Sequence, residues 1–207
     1  MKKISKSVFV IGAVVMLALG ATFAYFADTE ILAENTLASG TLDLKVDGVD
    51  NPTSSINIAD LLPGESREFT WTLRNDGSVT GIPSITFGEI ANFENDMTEP
   101  EAIADTTPEA GELGSRTKVK LAWSQNGGTF KNIRLSNSLG NPELDDISNI
   151  TVGLGLLSVL GPDNAIPHLA NGEEVVVRLT VTLPSTVGNI IQSDSATFDM
   201  TYNLSQG

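Results

Sequence analysis

Hydrophobic and polar residues alternate along much of the chain with a period of two. This period is typical of strands with one buried face, because successive side chains of a strand point to opposite sides of its sheet. The weaker strand candidates are two pairs of apolar residues, Ile85 with Phe87 and Phe130 with Ile133. The clear runs, by their apolar residues, are Leu42, Leu44 and Val46; Ile56 and Ile58; Phe69, Trp71 and Leu73; Val119, Leu121 and Trp123; Val175, Val177, Leu179, Val181 and Leu183; and Ala196, Phe198, Met200, Tyr202 and Leu204.

Turn-forming residues separate these runs. Such residues tolerate a positive φ or preset a turn, so they favour tight connections between antiparallel strands. We therefore predict an all-β fold over residues 41–207: one antiparallel sandwich of the jelly-roll or immunoglobulin-like type. The turn sequences are Asp47-Gly48, Pro63-Gly64, Asn75-Asp76-Gly77, Asn126-Gly127-Gly128 and Asn171-Gly172.

Two segments depart from the alternation, and we predict insertions near 89–116 and 143–170. Residues 89–116 are acidic and rich in Pro, Glu and Thr, which indicates a long surface excursion with a short helix near Pro100 to Ala104. Residues 143–160 are apolar without alternation. Their leucine spacing favours a helix packed across one end of the sandwich, although Gly153 and Gly155 weaken that prediction.

The first 24 residues have the pattern of a signal peptide. Three lysines among the first six residues precede an apolar run, Val8 to Leu19, that is short for a membrane span. Thr22 and Ala24 then supply small residues at the −3 and −1 positions of a cleavage site. We predict cleavage between Ala24 and Tyr25; the alternative is an uncleaved N-terminal anchor.

Charge and cysteine content restrict the possible partners. Three of the 12 Lys and Arg residues lie in the leader, which leaves 9 against 26 Asp and Glu and a net charge of −17 after cleavage. Such an acidic chain repels nucleic acid and anionic lipid. The sequence contains no cysteine, so disulfides and thiolate metal sites are excluded.

The search for catalytic chemistry is negative. His168 is the only histidine, so the chain cannot form the HExxH motif of zinc peptidases. No glycine-rich phosphate loop is present, and nothing in the sequence marks a cleft around a carboxylate pair. We predict no enzyme activity, no cofactor and no small-molecule substrate.

Two weaker kinds of site remain. Asp47 and Asp50 cluster in a turn and are weak candidates for calcium; the spacing of an EF-hand is missing, and a solvated turn is the preferred interpretation. Asn149 and Asn203 begin N-x-S/T triplets, which are possible glycosylation sites on an exported chain.

The segment that follows the cleavage site, residues 25–40, is too apolar for a solvated tail. Phe26, Ile31, Leu32 and Leu37 give it hydrophobic anchors without a regular period. A segment of this kind either completes its own sheet or pairs with an open edge of another subunit. The residue content alone favours the first option.

Residues 20–80 resemble the start of the TasA/camelysin family of exported fibre proteins. The resemblance is carried by the junction GATFAYFADTE, by TLASGTLDLKVDG, and by SINIADLLPGESREFTWTLRNDGS, in which an LxPGE turn leads into an aromatic strand that ends at NDGS. The last strand, SATFDMTYNL, fits more loosely, and residues 89–170 match no family pattern. Archaeal bundling pilins are similar.

This resemblance implies a secreted jelly-roll subunit at the cell surface, in a biofilm-matrix fibre or a bundling pilus. The N-terminal segment would add as a strand to the next subunit, so that copies polymerise head to tail. The expected partners are other copies of the chain, neighbouring filaments by bundling, and a dedicated signal peptidase. The donor residues would be Tyr25, Phe26, Ile31, Leu32 and Leu37.

Two other functions stay open at this point. The LxPGE-to-NDGS unit also occurs in generic surface domains, so the chain could be a monomeric binding or spacer module. Some members of the family carry a metallopeptidase label, but this sequence has no zinc-binding motif to support that activity.

Overall fold

The computed structural model describes residues 39–97, 99–135, 140–153 and 168–206. The chain divides into two units, residues 1–39 and residues 40–207. The second unit contains all the strands and helices given below. The strands in its described residues are β1 (Leu44–Val46), β2 (Thr53–Ala59), β3 (Ser66–Asn75), β4 (Ile82–Phe87), β5 (Ala91–Phe93), β6 (Lys118–Gln125), β7 (Lys131–Ile133), β8 (Thr151–Gly153), β9 (Glu174–Thr182) and β10 (Ser195–Ser205).

Short helices lie between some of these strands. In the part of the chain that the structure describes, the α-helices are α1 (Glu99–Ala104) and α2 (Leu113–Arg116), and the 3-10 helices are η1 (Asp145–Ile147) and η2 (Asn189–Ile191). Helix α1 confirms the helix predicted near Pro100. No helix in the described ranges is long and apolar enough to cross a membrane.

The strands form two antiparallel sheets of five strands each. The first has the order β1-β3-β9-β6-β7, and the second has the order β2-β10-β4-β8, with β5 also paired to β10. The longest register joins β3 to β9, from Ser66 opposite Thr182 to Arg74 opposite Glu174. The two sheets confirm the predicted all-β antiparallel sandwich.

The core lies between the inner faces of the two sheets, as the alternation predicts. In β9 every second residue from Val175 to Val181 is fully buried, and β10 buries Phe198, Met200 and Tyr202. Phe87 of β4 packs against Phe198, with ring centroids 6.3 Å apart. This contiguous apolar interior supplies the main stabilisation of a chain that has no disulfides.

The turn between β6 and β7 shows why its sequence suits a hairpin. Asn126 and Gly127 both have positive φ, 53° and 68°, and the Gly128 N–H donates to the Gln125 carbonyl at 3.0 Å. Asn and Gly are the residues that adopt this left-handed geometry at least cost.

The prediction for residues 89–116 needs correction. This segment is not only a surface excursion, because β5 pairs with the start of β10, and Glu101 and Leu113 are buried. The acidic composition of this segment predicted solvent exposure, but the segment packs on the sandwich.

The helix predicted for residues 143–160 is wrong over its first half. That stretch forms η1 and then β8, whose Thr151–Gly153 pair with β4 and bury Val152. Residues 154–160 lie outside the described residues. Pairing with the edge of β4 supplies backbone hydrogen bonds to this stretch, and Gly153 lowers the stability of the competing helix.

Candidate functional site

The residues predicted to act in export and assembly lie in the N-terminal unit, outside the described residues. They are Ala24 and Tyr25 at the cleavage site and the donor residues Tyr25, Phe26, Ile31, Leu32 and Leu37. The described residues include the edges of both sheets, to which an added strand could pair.

Strand β2 ends the order of the second sheet and pairs along its length with β10. The other terminal strands, β1, β7 and β8, have three residues each, whereas β2 has seven. A long terminal strand presents a row of backbone donors and acceptors to an added strand. Among the described strands, β2 offers the longest edge.

The register shows which backbone groups of β2 point outward. The Tyr202 N–H donates to the Pro52 carbonyl at 2.6 Å, which makes this a hydrogen-bonded pair. In an antiparallel ladder such pairs alternate with non-bonded ones, so the N–H and C=O groups of Ser55 and Asn57 point away from β10. At the end of the strand, Arg67 Nη1 donates to the Ala59 carbonyl at 2.5 Å.

The surface just beyond β2 contains a cavity of about 320 Å³ with apolar and polar walls. Leu61, Leu62, Pro63 and Ile191 line its apolar part, and Leu62 is 67% exposed; polar residues that include Asp60, Asn189 and Asp194 line the rest. A hydrophobic side chain brought along the β2 edge would find a place to bury here.

A second feature is a cluster of five carboxylates, Glu94, Glu101, Asp105, Glu112 and Asp194, termed the carboxylate cluster below. Carboxylate oxygens of Glu94, Asp105 and Glu112 lie within 4.8 Å of one another. Carboxylate oxygens of Glu94, Glu101 and Asp194 also lie within 4.8 Å of one another. Glu94 therefore belongs to both triads.

Four elements hold the carboxylate cluster in place. Glu94 directly follows β5, Glu101 lies in α1, Glu112 precedes α2, and Asp194 lies between η2 and β10. Asp194 Oδ2 accepts hydrogen bonds from the backbone N–H groups of Glu112, at 2.6 Å, and Leu113, at 3.1 Å. These bonds attach the start of α2 to the loop before β10.

Burial and repulsion between carboxylates raise the pKa of two members of the cluster. Burial first, and then the nearby Asp194 and Glu101, raise the pKa of Glu94 to about 7. Burial also raises the pKa of Asp194. Asp105 differs, because hydrogen bonds from Thr107 lower its pKa.

Sequence reasoning missed this cluster. The acidic density of residues 89–116 was its only local signal. Asp194 stands some eighty residues further along the chain, and only the pairing of β5 with β10 brings it near Glu94.

The weak calcium candidates have other protein partners. Asp50 Oδ1 lies 2.5 Å from Lys45 Nζ, and Asp47 Oδ1 accepts a hydrogen bond from the Thr72 N–H at 2.7 Å. A calcium ion at this turn stays a prediction. In the described residues, carboxylates converge in threes at the carboxylate cluster instead.

The remaining sequence candidates lie at the surface. Asn149 is exposed in a turn with φ of 57°, and Asn203 is exposed on β10. His168 is exposed at the edge of the described region. Glycosylation at the two asparagines stays a prediction.

Comparison with known proteins identifies the family. The sequence profile described as camelysin metallo-endopeptidase matches residues 1–133. A comparison with curated proteins finds no match.

Similar solved structures include a protein from Eubacterium rectale that is described as secreted. It is 9% identical, with a TM-score of 0.37 over 81% of this chain, and the chain spans 40% of that protein's length. Another is AvmM, described as catalysing macrocyclisation in alchivemycin A biosynthesis, at 15% identity and a TM-score of 0.25, covering 67% of this chain and 68% of that one. The family assignment therefore rests on the profile, which covers more than half of the chain and includes the residues that carry the resemblance. This chain belongs to the camelysin family.

Proposed function

We propose that the chain is an exported structural subunit that polymerises head to tail into an extracellular filament. The N-terminal segment from Tyr25 to about Leu37 leaves its own subunit and adds as a strand to the β2 edge of the next. The observation that carries this proposal is the seven-residue terminal strand β2, with the backbone groups of Ser55 and Asn57 pointing outward.

The chemistry of such a contact suits a filament. Backbone hydrogen bonds along β2 give affinity, and the apolar anchors of the donor, including Ile31 and Leu32, bury in surface openings such as the one beside Leu62. Because donor and acceptor are different surfaces, the contact does not close on itself and propagates from copy to copy. The leader pattern supports export as the step that precedes assembly.

The acceptor edge is tested by removing one outward N–H. In Asn57→Pro the ring replaces an N–H that β10 does not use, so the subunit should still fold. In the control, Asn57→Ala, the side chain is lost and the N–H remains. We expect the alanine variant of residues 25–207 to form filaments and the proline variant to stay monomeric, in electron micrographs and in sedimentation. Filaments from a folded proline variant would exclude β2 as the acceptor edge.

The alternative is a monomeric cell-surface module that binds a partner or acts as a spacer. Its prediction differs, because the unmodified protein and both Asn57 variants would all sediment as monomers under every condition of salt and pH. The two functions are thus separated by the same experiment.

The family description also names an endopeptidase. Catalytic zinc in peptidases is held mainly by histidine nitrogen, whereas the carboxylate cluster offers oxygen alone. The donor set does not fit such a zinc ion. Casein zymography of the purified protein tests the predicted lack of enzyme activity: a cleared band that a chelator abolishes would contradict it.

A further inference from the structure

The sequence contains two Asn-Gly pairs, Asn126-Gly127 and Asn171-Gly172. Such a pair is prone to spontaneous deamidation, because the glycine has no side chain that shields its backbone nitrogen. That nitrogen attacks the side-chain carbonyl carbon of the asparagine. The structure gives the two pairs different surroundings, and so a different exposure to this reaction.

The fold holds both reacting groups of Asn171-Gly172. The Asn171 Nδ2 donates to the Gly77 carbonyl at 2.6 Å, and the Gly172 N–H donates to the Asn75 carbonyl at 2.7 Å. Attack requires the Gly172 nitrogen to lose its proton and the Asn171 side chain to turn toward it. Each of these steps breaks a hydrogen bond, besides the bond that closes the turn itself.

The pair Asn126-Gly127 lies in an open loop instead. Residues 126–130 are all exposed, and in the ranges that the structure describes neither the Asn126 side chain nor the Gly127 N–H makes a hydrogen bond. The pair of β6 and β7 nearest to the loop is Trp123 with Lys131. The loop can therefore move while the two strands stay paired.

Two hydrogen bonds to Gly128 close the turn that contains Asn126. The Gly128 N–H donates to the Gln125 carbonyl at 3.0 Å, and the Gly128 carbonyl accepts the Ser124 hydroxyl at 2.7 Å. Ring closure requires Asn126 to leave its positive φ of 53° and to bring its side chain over the next backbone nitrogen. That motion breaks the two bonds to Gly128 and none made by the reacting groups.

We propose that Asn126 deamidates spontaneously in the folded protein when its turn opens, and that the fold protects Asn171. The Gly127 nitrogen bonds to the Asn126 Cγ, the Cγ–Nδ2 bond breaks, and ammonia leaves with the proton of the Gly127 nitrogen. Water then opens the succinimide at either carbonyl and gives aspartate or isoaspartate. Both products add a negative charge, and isoaspartate also adds a methylene group to the backbone of the turn.

This inference goes beyond the proposed filament function and does not depend on it. The test incubates the protein of residues 25–207 at mildly alkaline pH and follows both asparagines by peptide mass spectrometry. Asn126 should convert at least about tenfold faster than Asn171, because ring closure at Asn171 breaks two additional hydrogen bonds. In guanidinium chloride, where the fold is lost, the two sites should convert at similar rates.

Two results would overturn the proposal. One is a folded protein in which Asn171 converts as fast as Asn126. The other is a folded protein in which Asn126 stays unmodified although it converts in guanidinium chloride.

Ser124→Ala gives a second readout, because it removes the hydroxyl that donates to the Gly128 carbonyl. The turn should then open more often, and conversion at Asn126 should be about 2- to 10-fold faster. Conversion at Asn171 should be unchanged, which makes that site the control within the same protein. An unchanged rate at Asn126 in this variant would contradict the proposed route through opening of the turn.

Discussion

Trp71 of β3 and Tyr202 of β10 pack against each other across the interior of the sandwich, with ring centroids 5.9 Å apart and planes tilted by 48°. Tyr202 is fully buried and Trp71 is 8% exposed. The pair links the central part of one sheet to the other, and it comes from two runs whose alternation is visible in the sequence.

Removing this contact should destabilise the fold strongly. We expect Trp71→Ala to lower the free energy of unfolding by about 3–5 kcal/mol, because it leaves a cavity between the sheets. Phe69→Ala is the control, since Phe69 stacks on Trp71 at 6.3 Å but is only partly buried. Urea unfolding followed by circular dichroism would measure both. Equal losses of unfolding free energy in the two variants would mean that the contact between Trp71 and Tyr202 makes no particular contribution to stability.

Asn75 provides the second prediction, because its buried amide supports the turn after β3. Its Nδ2 donates to the carbonyls of Val79 and Leu169, each at 2.8 Å, and its Oδ1 accepts from the Gly77 N–H at 2.9 Å. Asn75→Ala removes the side-chain partner of the Val79 carbonyl and the Gly77 N–H, while the Leu169 carbonyl keeps only the bond from the Gly81 N–H. We expect a loss of about 2–4 kcal/mol in unfolding free energy.

The control for Asn75 is Asn171→Ala, which removes a single hydrogen bond to the Gly77 carbonyl in the same region. It should cost about 1 kcal/mol. A loss in Asn75→Ala no larger than that of Asn171→Ala would show that water replaces the buried bonds.

The third prediction concerns pH in the absence of divalent cations. Glu94, which faces Asp194, Glu101, Asp105 and Glu112, has a pKa raised from 4.5 to about 7 in the folded protein. The folded state therefore binds this proton more tightly than the unfolded state does. The resulting stability is complete below pH 4.5 and is lost as the pH rises through 7.

In EDTA, the contribution of Glu94 to the Tm should decrease as the pH rises from about 5 to about 8. Glu94→Gln should flatten that part of the profile, and Glu109→Gln should leave it unchanged. A profile with the same slope in the unmodified protein and in Glu94→Gln would assign the pH dependence to other groups.

The alternation of Phe69, Trp71 and Leu73 predicted β3 correctly because it reports a local property, the burial of one face of a strand. The same reasoning identified β6, β9 and β10. Asn126-Gly127 likewise predicted a turn, because its positive φ angles depend on the residues themselves. These features need little information about distant parts of the chain.

The carboxylate cluster could not be predicted in this way. Glu94 and Asp194 meet because β5 pairs with the first residues of β10, and that pairing depends on the topology of the whole sheet. Glu101 stands in a segment whose composition indicates a solvated surface, yet it is buried. Thr151–Gly153 form a strand because they pair with the free edge of β4, and local propensity does not predict that pairing.

The central claim, that the N-terminal segment joins one subunit to the next, is tested most directly by negative-stain electron microscopy of two proteins. One comprises residues 25–207, and the other begins at Gly40, where the second compact unit begins. We predict filaments from the first and only monomers from the second. Monomers from both across a range of salt and pH, or filaments from the protein that begins at Gly40, would contradict strand donation by this segment.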